Sequence, residues 1–348
     1  MESNAGAKSL SWLYEPGPQA HDLDETDVRV RPNPKGNKPR TKNRPSHSDA
    51  PIGMVVQVDL GRYTVLLEDD REVYATLAKE LRKEGVAVGD QVALAGDTSD
   101  TVGALARIVR IEPRTTLLRR SADDTDQVER VIVANATQML IVVAIKDPEP
   151  RTRLIDRYLA AAFDAGLKPA LCITKVDLED PVEFLKNFAE LSIPVILNRK
   201  DSPSLDALNE FLLGQVTVVV GHSGVGKSTL VNSLAPDAAR ETGGVNAVTG
   251  RGRHTSSSVR AIRLESAAWI IDTPGVRSFG LGHIKLENLL RSFEDLWQVA
   301  SQCPRDCSHL VDSPDCGLDE AVVAGTISVS RLDSLRRLMV SIANSSND

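Results

Sequence analysis

At 348 residues the chain is longer than one small core requires, so two or three domains are expected. A composition of 41% hydrophobic and 26% charged residues, with no apolar run of ~18 residues, allows an enzyme-sized core and excludes a membrane span. A net charge of -7 argues against a nucleic-acid binder on average, and four cysteines are too few for a disulfide framework. The start, MESNAGAKSLSWLYEPG, lacks the basic, apolar and small-residue order of a secretory signal, so a cytoplasmic protein is expected.

Charge is segregated along the chain. From Val28 to Pro45 the sequence carries seven Lys or Arg, no acid and four prolines, directly after the acidic stretch Asp22 to Asp27. Such a segment cannot form a core, and residues 1–48 are expected to be a disordered basic tail. The tail is either merely solvated or a flexible arm that touches phosphates. Residues 49–113 then read as five short alternating strands, GMVVQVD, GRYTVLLED, REVYATL, DQVALAG and ALARIVRIEP, with a short helix at Lys79 to Lys83. This spacing predicts a small barrel of the OB type, with an SH3-like barrel or a meander as alternatives.

From Arg130 the pattern becomes α/β, with buried strands at Met139 to Ile145 and Pro169 to Asp177 and an amphipathic crossover helix at Thr152 to Asp164. Further strands read at Ile193 to Leu197, Val216 to Val220 and Ala267 to Gly275. Beyond Leu286 the chain reads as helical around a cysteine cluster.

Three motifs carry the chemistry. Gly221-His222-Ser223-Gly224-Val225-Gly226-Lys227-Ser228, followed by Thr229, fits the phosphate-loop pattern between a strand and an apolar helix. Its backbone N–H groups would cradle phosphates, Lys227 would neutralise them, and the Ser228 hydroxyl would ligate Mg2+. Thr174-Lys175-Val176-Asp177 resembles the N-K-x-D guanine motif with Thr in place of Asn. A carboxylate at Asp177 can accept from both N1–H and the exocyclic amine of guanine, whereas adenine offers no such donor pair. Asp272-Thr273-Pro274-Gly275 matches the D-x-x-G switch, in which Asp272 reaches Mg2+ and the Gly275 N–H senses the γ phosphate. Thr255, in the polar loop between the last two motifs, is the expected Mg2+-sensing threonine of the first switch, unless that loop is merely disordered. Because the guanine motif precedes the phosphate loop, residues 114–285 read as a circularly permuted GTPase domain.

Residues 286–348 contain Cys303-x3-Cys307-x-His309-x6-Cys316. Three thiolates and one imidazole suit a closed structural site for one Zn2+; free cytosolic thiols are the alternative. Cys172 reads as a small buried residue.

Taken together, PRTKNRP, LIDRYLAAA, TKVDL, GHSGVGKSTLVN, GRGRHTSS, IDTPGVRSF and the cysteine cluster resemble the circularly permuted ribosome small-subunit-dependent GTPase A family, from about Pro39 to Leu338. The resemblance implies a multidomain α/β protein: an OB-type barrel, a permuted P-loop GTPase domain and a zinc-binding helical domain. It further implies GTP hydrolysis during late maturation of the small ribosomal subunit, with that subunit and its rRNA as partners, no membrane, and a monomer. Val276 stands where GTPases usually carry a catalytic glutamine, so His254, matching the family's switch histidine, is the candidate for orienting water, with His222 as runner-up and an RNA-contacting or solvent-exposed residue as the alternative for His254. Two departures from the family stand out. The inner spacing of the Cys cluster is shifted, and Asn198-Arg199 replaces a small Ser-Ala pair near the guanine. A protein that uses GTP only as a conformational signal is the other reading of the same residues.

Overall fold

In the computed structural model the described residues are 47–345, apart from 60, 100, 102, 122–128, 237–258 and 274–283. The basic tail therefore lies almost wholly outside them, as do Val276, His254, Thr255 and Gly275.

Strands β1 (Ile52–Asp59), β2 (Arg62–Leu67), β3 (Glu72–Leu77), β4 (Gln91–Gly96) and β5 (Ala106–Ile111) are joined in the order β1-β2-β3-β5-β4, and β4 returns to β1. The result is a closed five-stranded barrel. Alternation within each strand sends Val55, Val65, Val73, Ala75, Val92 and Ile108 inward, where they are fully buried. A 3-10 helix at Lys79–Lys83 connects β3 to β4.

Strands β6 (Leu117–Ser121) and β7 (Glu129–Ala134) form a separate antiparallel pair between barrel and GTPase domain. The sequence pattern did not separate these strands from the run of charge around them. Gly89 seats this pair against the barrel: at φ +92°, a Cβ there would fall 2.0 Å from the Ala134 carbonyl oxygen.

The GTPase sheet runs β10 (Val195–Asn198), β9 (Lys168–Thr174), β8 (Gln138–Ala144), β11 (Val216–Val220), β13 (Trp269–Asp272), β12 (Arg260–Arg263). All neighbours are parallel except β12, which runs antiparallel to β13. Through Gln57↔Arg260 it also pairs with β1, so sheet and barrel are continuous. The residues of β8 are buried on both faces, as a central parallel strand must be. Met139, Ile141 and Val143 face one core; Leu140, Val142 and Ala144 face the other.

Helix α1 (Thr152–Asp164) has the predicted span and packs Ile155, Tyr158 and Leu159 against the first of these faces. Burying each contributes about 1.5–3 kcal/mol. Helices α2 (Val182–Leu185), α3 (Leu205–Leu212) and α4 (Lys227–Leu234) complete the GTPase region. Four more follow: α5 (Leu286–Arg291), α6 (Glu294–Ala300), α7 (Gly317–Val323) and α8 (Val329–Ser345). They share the α1 core, with Phe163 meeting Phe293 edge-on at 5.7 Å. Among the described residues, no helix is long and apolar enough to cross a membrane.

Polar contacts also cross this interface, among them Asn288 to Asp164 and Arg337 to Asp156. Asp156 on α1, 2% exposed at its side chain, faces Arg337 of α8 at 3.1 Å, and its Oδ1 is buried without a hydrogen-bond partner. Burial pushes the Asp156 carboxyl up to about 6, against the opposing pull of Arg337. Because the folded pKa is raised, the protonated acid is favoured by folding. That contribution is fully present below about pH 4 and is lost as pH rises through about 6. Relative to Asp156→Asn, the unaltered chain should lose roughly 2–3 kcal/mol of stability between about pH 4 and pH 7. Urea unfolding of both chains across that range tests this, and parallel profiles would refute it.

Candidate functional site

The phosphate loop is the turn between β11, ending at Val220, and α4, beginning at Lys227. Its glycines are dictated by space and by backbone angle. A Cβ on Gly221 would stand 2.3 Å from the carbonyl oxygen of Val142 on the neighbouring strand. Gly224 and Gly226 hold φ of +82° and +98°, in the left-handed region that disfavours side chains. Val225 is buried beneath the turn, while Ser223, Ser228 and Thr229 are exposed at its rim. The Lys227 ammonium curls back to donate to the carbonyls of Gly221 at 2.6 Å and His222 at 3.0 Å. His222 Nδ1 lies 2.9 Å from the Ser223 carbonyl.

Two side chains clamp this turn to its neighbours. The Thr174 hydroxyl, buried at the end of β9, donates to the Val225 carbonyl at 2.7 Å, with the Val143 carbonyl at 3.3 Å. Thr273, 1% exposed, donates its hydroxyl to the Val219 carbonyl at 2.9 Å. The sequence pattern marks Thr174 only as a substitute for Asn in a base-reading motif; the structure gives its hydroxyl a mechanical role as well. Lys175 turns the chain with φ +59° and donates Nζ to the Asp147 carbonyl, which leaves Val176 half-buried and Asp177 exposed.

Parallel register brings Val219 opposite Asp272, so the start of D-x-x-G stands beside the root of the phosphate loop. Burial holds the Lys227 pKa below its usual value, with Asp272 opposing, and holds the Asp272 carboxyl above its usual value, with Lys227 opposing. Both groups thus carry charge at a desolvation cost that a polyanion and a cation would relieve. The oxygen donors of Ser228 and Asp272 are hard ligands that suit Mg2+.

At the neighbouring edge, Asn198 lies opposite Thr174 in register. Its side-chain oxygen accepts the Ser204 N–H at 3.1 Å, and Arg199 pairs with Asp201 at 3.1 Å. This departure from the small pair of the family is therefore tied into its own loop.

The cysteine cluster lies between α6 and α7. Ligand atoms of Cys303, Cys307, His309 and Cys316 all fall within 4.8 Å of one another. A tetrahedron with ~2.3 Å metal–sulfur bonds has edges of about 3.8 Å, so the group can close on a metal ion. None of the cysteines is in a disulfide. His309 sits at φ +56°, in a loop where Asp306, Asp312 and Asp315 are also left-handed. Arg336 of α8 holds that loop: it donates to the carbonyls of His309 at 3.0 Å and Leu310 at 3.2 Å and grips Asp319 with both arms. Burial first, then the Arg336 charge, lowers the His309 pKa and favours the neutral ring a metal requires. Sequence reading missed Arg336; the available signal was an arginine at helical spacing among Leu332, Leu335 and Met339, all of them buried.

A phosphate loop, a guanine-type motif two strands away on one side and a D-x-x-G strand adjacent on the other, in permuted order, define a circularly permuted GTPase. A family profile described as RsgA GTPase matches residues 111–282. The small ribosomal subunit biogenesis GTPase RsgA of Chlorobaculum tepidum is 33% identical over 305 residues, covering 84% of this chain and 98% of that protein. Its namesake in Nitrosospira multiformis is 33% identical over 311 residues, covering 87% and 95%. Two solved structures are similar: YjeQ from Thermotoga maritima (TM-score 0.63, 27% identity, 84% of this chain and 98% of that one) and YloQ, a circularly permuted GTPase (0.60, 26%, 86% and 97%). The chain belongs to the RsgA GTPase family.

Thr174→Val keeps the shape and removes the donor, leaving the Val225 carbonyl without its shortest bond. Guanine-nucleotide affinity should fall about tenfold, with Thr174→Ser close to the unaltered chain. Titration with a fluorescent GDP reads this, and equal affinity for Thr174→Val would remove the proposed clamp. Metal analysis should find one ion per chain, lost in Cys307→Ser together with the order of the α6–α7 segment. A metal-free chain with a fully folded C-terminal region would sink the metal site.

Proposed function

We propose that this chain hydrolyses GTP on the small ribosomal subunit during its late maturation, and that subunit contact accelerates the reaction. The supporting observation is similarity over nearly the whole length of relatives that carry that name, joined to a phosphate loop set beside Asp272 and the guanine-type motif. In this reading residues 221–229 cradle the phosphates, Lys227 neutralises developing charge, Thr174 to Asp177 hold the guanine, and Gly275 senses the γ phosphate. Ser228, Thr255 and Asp272 hold Mg2+, which supplies charge neutralisation at the phosphates. Catalysis is then positioning and electrostatics, with no covalent step.

Val276 cannot orient water, so His254 takes that role on the ribosome. Residues 49–113 form an OB-type barrel: its strand order closes as β1-β2-β3-β5-β4 with a helix after β3. Residues 114–285 are the GTPase domain and 286–348 the helical domain, whose three thiolates and neutral imidazole select Zn2+. The basic residues of 1–48 contact rRNA, and the protein works as a cytoplasmic monomer.

Phosphate release should rise strongly when purified small subunits are added. His254→Ala should lose that stimulated rate and still bind GTP. No stimulation of the unaltered chain would end the ribosomal reading; binding to subunits without stimulation would instead favour an assembly protein that uses GTP only as a signal.

A further inference from the structure

The loops that follow β9 and β10 leave the same carboxyl edge of the sheet side by side. Parallel register sets Asn198 beside Thr174, so Arg199 comes level with Lys175, two residues short of Asp177. Strand β10 flanks β9 on the side away from β8 and the phosphate-loop strand. Ligands of open α/β sheets bind beyond the carboxyl edge, so a base held by Asp177 has the Arg199 loop as its neighbour.

Hydrogen-bond donors are scarce there. The Asp177 carboxylate suits the N1–H and exocyclic amine of guanine, whereas O6 and N7 are both acceptors and need donors. A threonine hydroxyl has one proton, and that of Thr174 goes to the Val225 carbonyl at 2.7 Å. Lys175 donates its Nζ to the Asp147 carbonyl, and Asn198 is turned into its own loop, where its Oδ1 accepts the Ser204 N–H.

Arg199 differs from all three. It is exposed, and Asp201 takes one edge of its guanidinium, with Nε at 3.1 Å and Nη2 at 3.4 Å. The other edge, Nη1 with the second hydrogen of Nη2, has no partner among the described residues and forms a fork of two donors. The bond to Asp201 raises the Arg199 pKa, and the Asp177 charge adds to the rise, so Arg199 and Asp177 are near enough for their charges to interact.

We propose that Arg199 determines specificity for the base: its open fork donates to O6 and N7 of guanine while Asp177 accepts from the N1–H and the amine. Asp201 holds the guanidinium from the side. Adenine is rejected by the same fork, because its amino group would meet the guanidinium donor to donor. The inference rests on the reading of Thr174 to Asp177 as the motif that holds guanine.

The test is displacement of a fluorescent GDP from the full chain by GDP, 7-deaza-GDP, IDP and ADP. The 7-deaza base lacks the N7 acceptor, and the base of IDP lacks the amine. The unaltered chain should bind GDP about tenfold more tightly than 7-deaza-GDP. Arg199→Ala should lose about tenfold in GDP affinity, close the gap between GDP and 7-deaza-GDP to within about twofold, and narrow the preference for GDP over ADP. Lys200→Ala, which removes the neighbouring charge of the same loop, should leave the 7-deaza gap in place. Equal binding of GDP and 7-deaza-GDP by the unaltered chain would overturn the proposal. So would a gap that persists in Arg199→Ala, or one that closes equally in Lys200→Ala. The guanine reading is decided separately by IDP: a preference for GDP over IDP that disappears in Asp177→Asn supports it, and equal binding of GDP, IDP and ADP by the unaltered chain would overturn it together with the role of Arg199.

Discussion

The close approach of β8 to the start of the phosphate loop governs the rest of the site. Val142 presents its carbonyl where a side chain on residue 221 would have to be, so only glycine lets β11 lie parallel to β8 and then turn away. Once that turn is set, Val225 is buried beneath it and its carbonyl faces Thr174, which closes β9 on the far side of β8. The guanine-type motif and the phosphate loop are thus held at a fixed separation by one strand and one hydroxyl. Thr273 does the same on the other flank by bonding to Val219. Neither contact depends on the order in which the chain visits the strands, which is why permutation leaves the edge intact.

Electrostatics follows from the same packing. A loop pressed into the carboxyl edge of a buried sheet draws Lys227 and Asp272 out of water together, and each carries its charge at a cost the other only partly offsets. A site of this kind is prepared for phosphate and cation and poor without them. The cysteine cluster shows the same economy in another form. Four left-handed residues, among them His309, are held in one short loop by the reach of Arg336, and only then do three sulfurs and a ring nitrogen converge.

What could be read from the sequence was whatever rests on local chemistry: the span of α1, the central strands, the phosphate loop and the four metal-type ligands. Elements that rest on distant partners were not legible. Arg260–Arg263 is a strand because β13 and β1 flank it, and nothing in RAIR announces either. Leu117–Ser121 and Glu129–Ala134 support each other in the same way. The burial of Asp156 likewise depends on a distant partner, since α8 brings Arg337 against it. Thr174 reads as a weakened Asn until the Val225 carbonyl is seen beside it.

The order of the chain ties the nucleotide edge to the barrel and to the C-terminal helices. The segment that bears His254 and Thr255 runs directly into β12, and β12 is bonded on one side to the Asp272 strand and on the other to the barrel. The segment that bears Gly275 runs into α5, whose Asn288 side chain donates to Asp164 at the end of α1 at 2.9 Å. Each of the two stretches that follow the nucleotide edge therefore ends on an element docked against another part of the molecule. In an unpermuted arrangement the phosphate-loop strand would lead the domain and the guanine strand would end it. Here the guanine strand comes first, and the chain leaves the nucleotide edge through the D-x-x-G stretch. That stretch is followed in the chain by α5, which shares a core with α1, and α1 rests on β8, the strand whose carbonyl shapes Gly221.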